Sequence, residues 1–464
     1  MRAVRFSSLA LLSSLLISLL VAGCSGGSSS DVVTPPPPQL GTSSVRVNFG
    51  DAPADSIVAF EITITSVTLT PSGGGAAVTV LSTPTRIELT HLSATVEPLR
   101  ILNVQEGSYT SATINVSNPE VKIIDSGTGL PVELNASLAS SSATVSFNPA
   151  INVGTTPIAL NFDFNLAASV AIAPPNATVT PTFTGSLAAV AAQNEQEEEN
   201  GEIEDITGAV TGTSGSSFTI SVPQTAQNLT FATNASTAFE APLTGVASLT
   251  TGLIVEVDAV TQTDGSLLAT KVEAEIENDN DALEVEGLVT ALIGLPPTGF
   301  QMVVQDGAAS GATAPALGAT ITVQIDSNTR FRIDDDHVDL NNLPFVASFS
   351  ANVLSPGQKV EVDTDTPATN NLLADKVKLK EQALRGTVSN LATVGNQSTF
   401  DLTVPADSAF ALLTAQTTLQ VVRQPGTRLR GISSIANGDT VRTRGLLFFD
   451  GVSYHMVTSR ITTP

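Results

Sequence analysis

The 464-residue chain has no tryptophan, two tyrosines, three histidines and a single cysteine, Cys24. One cysteine excludes internal disulfides and cysteine-based metal sites. The histidines, His91, His337 and His455, fall in separate segments, and His91 in Leu89-Thr90-His91-Leu92 reads as a turn or strand-end residue rather than a base. No Gly-x-Ser-x-Gly elbow, His-Glu-x-x-His pair or glycine-rich phosphate loop occurs. Positive charge is scarce, with 20 Lys and Arg against 44 Asp and Glu and a net charge of −24. Nucleic acid and anionic lipid are therefore disfavoured as partners, because both demand a basic footprint. Aromatic poverty also weakens sugar recognition by ring stacking, since Phe162, Phe164, Phe218 and Phe300 lie on apolar strand faces and read as core.

Long apolar runs are missing except at the start. Arg2 and Arg5 precede the apolar stretch Leu9–Val21, which is shorter than the ~20 residues a membrane-spanning helix needs. A basic region, a short apolar core and small residues describe a secretory signal. Val21-Ala22-Gly23-Cys24 resembles the bacterial lipobox, which implies a signal over 1–23 and diacylation of Cys24 as the mature N-terminus. Loss of Arg2 and Arg5 with the signal takes the net charge to −26. Residues 24–42, with Gly26-Gly27-Ser28-Ser29-Ser30 and Pro35-Pro36-Pro37-Pro38, form a Gly/Ser/Pro-rich tether, whose stretch from Ser25 to Gly41 reaches about 50 Å when extended. Acyl chains contribute about 0.8 kcal/mol per buried CH₂, and two chains anchor stably where one does not. Ser25 stands where an aspartate would signal inner-membrane retention, so by the same resemblance the expected location is the cell envelope, at the outer membrane.

The rest predicts an all-β fold. Only 14% of residues are charged, which fits an exported β protein better than a disordered acidic one. Phe60-Glu61-Ile62-Thr63-Ile64-Thr65 alternates with period two, and the phase flips near Ser66, which predicts a bulge. Ile158, Leu160, Phe162, Phe164 and Leu166 mark the cleanest strand. Turn clusters at this spacing predict an N-terminal β-sandwich, Ig-like or transthyretin-like, over 43–190. The glutamate block within 191–205 reads as a solvated acidic linker.

After the linker the chain repeats itself. Gly208-Ala-Val210, Gly287-Leu-Val289 and Gly386-Thr-Val388 each open a segment, 79 and 99 residues apart. Each leads to a Phe-bearing strand, at Phe218, Phe300 and Phe400, and then to a Gly-x-x-Val step at Gly252, Gly357 and Gly438. These predict three small β-barrel-like repeats in series, over 206–277, 284–382 and 384–464. The second carries an insertion, placed at 305–320 or 334–351.

Asp51-Ala52-Pro53-Ala54, Ile62–Val67, Glu106-Gly107-Ser-Tyr109-Thr110, Leu160–Phe164 and Ser169-Val170 resemble an uncharacterised β-sandwich domain family of bacterial lipoproteins. The glycine steps are similar to an uncharacterised family of exported small-barrel repeats. Neither resemblance implies catalytic residues.

Two clusters invite chemistry. Asp334, Asp335, Asp336 and Asp339, with Asp363 and Asp365, concentrate hard oxygen ligands, so calcium is the one cofactor candidate, although no cluster has EF-hand spacing. Glu277–Asp281 is a further acidic stretch of the same kind. Arg428, Arg430, Arg442 and Arg444 alternate in the last repeat, which predicts an exposed basic strand face for an anionic partner or for the acidic repeats. The functional expectation is a non-enzymatic, lipid-anchored envelope protein that binds or displays envelope polymer, glycan or protein. A structural spacer or assembly component of the outer membrane is the alternative, and a hydrolase working through two carboxylates a third.

Overall fold

A computed structural model describes residues 41–52, 54–92, 96–155, 158–188, 202–222, 227–262, 266–274, 283–309, 314–365 and 371–463. The signal, Cys24, the tether up to residue 40, most of the glutamate block and the Glu277–Asp281 cluster lie outside them. The described chain is all-β, with two short helices and two 3₁₀ turns.

The sandwich is built from two sheets. One has the order Phe183–Ala188, Ile158–Asn165, Thr42–Ala52, Val96–Gln105. The other runs Val170–Ala173, Asn176–Val179, Pro131–Leu138, Gly107–Ile124, Ile57–Pro71, Val78–Leu81, with Thr85–Glu88 and Ser142–Val153 pairing on its long central strands. Two pairings are parallel, Thr42–Ala52 with Ile158–Asn165 and Asn176–Val179 with Pro131–Leu138. The register shift between Ile64 and Ser66 lies where the apolar phase flips in the sequence. Alternation stops at Asn165, whose side chain caps the helical turn Leu166–Ser169, so Leu166 ends in a helix and not in the strand. Five phenylalanines cluster in the core, four on the first sheet and Phe60 reaching them from the second. Phe49 packs on Phe162 and Phe183, Phe164 meets Phe183 edge-on at 4.9 Å, and Phe60 stacks on Phe164 at 5.2 Å.

The repeats share a five-strand plan, to which the first adds the short strand Ala238–Phe239 and the second Arg330–Ile333, each parallel to the fifth strand. In the first the strands are Glu202–Ser214, Ser217–Val222, Gln227–Ala232, Ile254–Thr261 and Leu267–Ala274. In the third they are Glu381–Val394, Gln397–Thr403, Thr418–Arg430, Thr440–Phe449 and Tyr454–Thr462. Strand one pairs with two and four, two with three, four with five, and a parallel contact of three with five closes the ring. The second repeat, Leu283–Ile293, Gly299–Ala309, Thr320–Gln324 and Lys359–Thr364, splits its fifth strand at Ala374 and Asp375. Asn371–Leu373 lies on strand three and Lys376–Leu379 on strand four. Barrel one begins at Glu202, inside the stretch expected to be linker. Barrel two is longer than barrel one in both expected places, at 310–319 against 223–226 and at 334–358 against 240–253.

The recurrent glycines are explained by this geometry. A Cβ on Gly208 or Gly386 would stand 2.6 Å from the carbonyl oxygen of Ser221 or Thr403 on strand two, and one on Gly287 would be closer still to that of Val303. Strand one bends there against its neighbour, and a register shift follows in all three barrels. Gly252, Gly357 and Gly438 have φ of +94°, +87° and +94°, in the left-handed region that glycine enters without penalty. Their amides each donate at 2.8 Å to the carbonyl of Val210, Val289 or Val388. The two sequence signatures are thus hydrogen-bonded to each other in every barrel.

The modules do not hang in series but pack into one compact unit. Val58, Ala59 and Ile124 of the sandwich meet Leu288 and Val303 of barrel two and Ala409, Leu412 and Leu413 of barrel three. Gln305 donates to the Val58 carbonyl at 2.9 Å and to the Thr90 hydroxyl at 3.0 Å. Leu446, Phe448 and Val457 on barrel three complete the apolar core of barrel two, and Phe345 stacks on His455 at 4.4 Å. Arg46 of the sandwich donates to Thr261 of barrel one at 2.8 Å.

Candidate functional site

The turn that follows the first strand carries Ala54, Asp55 and Ser56. The amide of Ile57 donates to the Ala54 carbonyl at 3.0 Å and closes the turn. The Asp55 carbonyl accepts from Ala409, in the short helix Ala409–Thr414 of barrel three, at 2.7 Å. The motif singled out by resemblance therefore leads into a docking loop. Two hollows flank it. A small cavity of about 100 Å³ is bounded by Thr90, His91, Gln305, Glu381 and Arg444 among others. A cleft of about 500 Å³ is lined by Asp55, Ser56 and Asn165 of the sandwich and by Arg385, Asp407 and Arg442 of barrel three. Ile57, Val170, Ile172 and Pro405 give the cleft apolar walls.

Its charges are interlaced. Arg385 and Arg442 are direct partners on strands one and four of barrel three. Burial pushes the Asp55 carboxyl above its ordinary value, while Arg442 and Arg385 oppose the shift and the charge of Asp407 adds to it. Arg385 and Asp407 are exposed. Two carboxylates thus share one cleft, a pairing that sequence spacing could not indicate.

The arginine face is formed as the alternation predicts, but it is not exposed. Arg430, Arg442 and Arg444 are buried, at 5%, 9% and 4% exposure, and Arg460 joins them. Register sets Arg428, Arg460 and Arg444 in one row across three strands, and Arg442 beside Arg385 in the next. Like charges opposite one another repel, so the face needs acids beside it, from its own barrel and from the modules docked on it. Arg444 pairs with Glu381 at 3.0 Å, Arg442 lies near Asp55, and Arg428 and Arg460 line a pocket with Asp336, His337 and Glu381. His337 lies 4.0 Å from Asp258 of barrel one and 3.9 Å from Glu381. The side chain of Gln424 accepts from the Asp339 amide at 3.0 Å, which fixes the inserted loop of barrel two on barrel three.

Barrels one and two meet through a charge network missing from the sequence expectations. Lys376, Lys378 and Lys380 alternate with Val377 and Leu379, which point into the barrel-two core. Lys380 binds Asp334 at 2.6 Å and Glu256 of barrel one at 2.5 Å. Lys378 reaches Glu273 at 3.4 Å, Lys376 holds Asp363 at 2.7 Å, and Lys271 binds both Glu273 and Asp336. Burial alone would raise Asp334, but Lys380 and Lys378 hold it well below the usual carboxylate range. Burial pulls Lys271 down, and Glu273, Glu256 and Asp336 outweigh that and raise it. The signal was present in the period-two lysines, and only the fold reveals which acids they face.

The calcium candidates are not gathered into one site. Asp334, Asp336 and Asp363 are paired with lysines, and Asp339 accepts from the Asn341 amide and side chain in its own turn. The Asp335 carbonyl accepts from Val338, and the Asp365 amide donates to Asp375. Among the described residues no group of three or more His, Cys, Asp or Glu side chains is placed to hold a metal ion. His91 lies 3.2 Å from Glu88 in the turn Thr90–Leu92, and His455 lies 3.1 Å from Asp450.

The fold defines an all-β protein with an N-terminal sandwich followed by small β-barrels, closed in the first and third repeats and built around an interrupted fifth strand in the second. Residues 42–179 match the family described as Domain of unknown function (DUF4382), and residues 207–273 and 286–378 match Domain of unknown function (DUF5666). The third barrel shares the plan but lies outside the matched ranges. No curated protein matches the chain. Among solved structures, similarity extends to the tetrameric p202 HIN2, at 12% identity over 39% of this chain and 91% of that one, with a TM-score of 0.13. It extends also to Drosophila Unr CSD456, at 10% identity over 56% of this chain and 97% of that one, with a TM-score of 0.13. Scores this low carry no argument.

Proposed function

We propose that this is an exported protein, lipid-anchored through Cys24 at the outer membrane, that presents one rigid all-β body to bind or display envelope polymer, glycan or protein without catalysing a reaction. The observation that carries the reading is the docking of barrel three, through its arginine face and the Asp55 turn, onto the rest of the chain. A rigid body with an interdomain cleft suits a binding module, because clefts between domains are where ligands settle. It suits an extended outer-membrane spacer less, because packed modules forfeit length. Nucleic acid remains a poor partner. Strands two and three of barrels one and two, the face that oligonucleotide-binding barrels use, contain no Lys or Arg, and in barrel three Arg430 on strand three is buried.

The test is retention of the Cys24→Ser chain by insoluble glycans, peptidoglycan and whole envelope. Saturable retention by at least one of them is expected. Absence of retention by all three, with co-purification of an envelope complex, would favour the spacer. Lipidation is tested separately, by palmitate labelling that Cys24→Ser abolishes.

A further inference from the structure

We propose that the cleft between the sandwich and the third barrel is a binding site for a neutral saccharide, recognised through its hydroxyl groups. The inference rests on the binding-module reading and names the ligand class of its cleft. Sugar hydroxyls both donate and accept, so they need acceptors and donors side by side. Asp55 and Asp407 are acceptors, Arg385 and Arg442 are donors, and Ser56 and Asn165 are polar groups of either kind. The charges of this set balance, which favours an uncharged ligand over an anion. Ile57, Val170, Ile172 and Pro405 offer an apolar wall for the C–H face of a ring in place of an aromatic platform. At about 500 Å³ the cleft has the size of a small-molecule site.

The site is partly set before a ligand arrives. Asn165 caps the turn Leu166–Ser169 by accepting from Ala168 at 2.8 Å, and the Asp55 loop is fixed by its bond from Ala409 at 2.7 Å. Arg385 and Asp407 line the cleft and are exposed, so they can be replaced without disturbing a core.

The full chain carrying Cys24→Ser is titrated with cellotetraose, chitotetraose and digalacturonate by calorimetry and saturation-transfer NMR. Arg385→Ala and Asp407→Ala are run in parallel, with melting curves to confirm folding. The expected result is saturable binding of a neutral tetrasaccharide that each variant weakens at least ten-fold without a change in melting temperature. Binding of digalacturonate alone, lost in Arg385→Ala, would overturn the neutral-sugar assignment in favour of a carboxylate ligand. Binding equal in both variants would move the sugar to another surface, and no binding of any probe would remove the site. Continued retention of the double variant by whole envelope would then leave the binding-module reading standing, and loss of retention by the unmodified body would end both.

Discussion

Lys380 decides more of the architecture than any residue the sequence brings to notice. It is 2% exposed and holds Asp334 of its own barrel and Glu256 of its neighbour. Removing one partner of a buried ion pair leaves a charge without compensation, at a cost of about 3–5 kcal/mol. Lys380→Met is therefore expected to lower the denaturation midpoint, and a second change, Glu256→Met, to recover part of the loss. Equal midpoints for Lys380→Met and the parent would remove the network from the account. Asp334 has its folded pKa below the unfolded value of 3.8, so its contribution is present above that pH and lost as pH falls through the folded value. Glu61 runs the other way. Burial raises it to about 7 although Arg86 lies 2.7 Å away, with Glu120 and Glu88 adding repulsion. The native state binds the extra proton, so stability falls as pH rises from about 4.5 to 7. Glu61→Gln should raise the melting temperature at pH 8 and leave it nearly unchanged at pH 4. A larger gain at pH 4 would mean that the ionised Glu61 stabilises the fold.

Among elements, the barrel repeat was the most legible feature, because its two glycine steps answer to two fixed backbone demands. One is the close approach of strand one to strand two, the other the left-handed turn before strand four. Gly287→Ala should destabilise the chain strongly, since a methyl group there meets the Val303 carbonyl, whereas Gly215→Ala strains only an open turn. Comparable losses in denaturant midpoint for the two would contradict the packing argument. The arginine alternation was legible as a face, but its burial was not, because burial depends on which module docks there. The aspartate-rich loop looked like a ligand-rich loop for the same reason. Its acids face lysines on another strand and another barrel, and no local pattern records that. The Asp51–Ala54 motif marked the position of the docking loop without its role, and Asn165, Arg385, Asp407 and Arg442 are joined in one cleft only by the tertiary fold.

At the scale of the whole molecule, the cleft exists only where barrel three is docked, so the sandwich and the barrels must form one body. Three separate barrels on a flexible chain would present no such site. The small-angle scattering of the Cys24→Ser protein at neutral pH tests this most directly. A compact chain of the size of 41–464 should give a radius of gyration of about 22 Å, slightly more with the tether attached. A value well above 30 Å, with the broad distance distribution of beads on a string, would contradict the account and return the chain to the extended spacer.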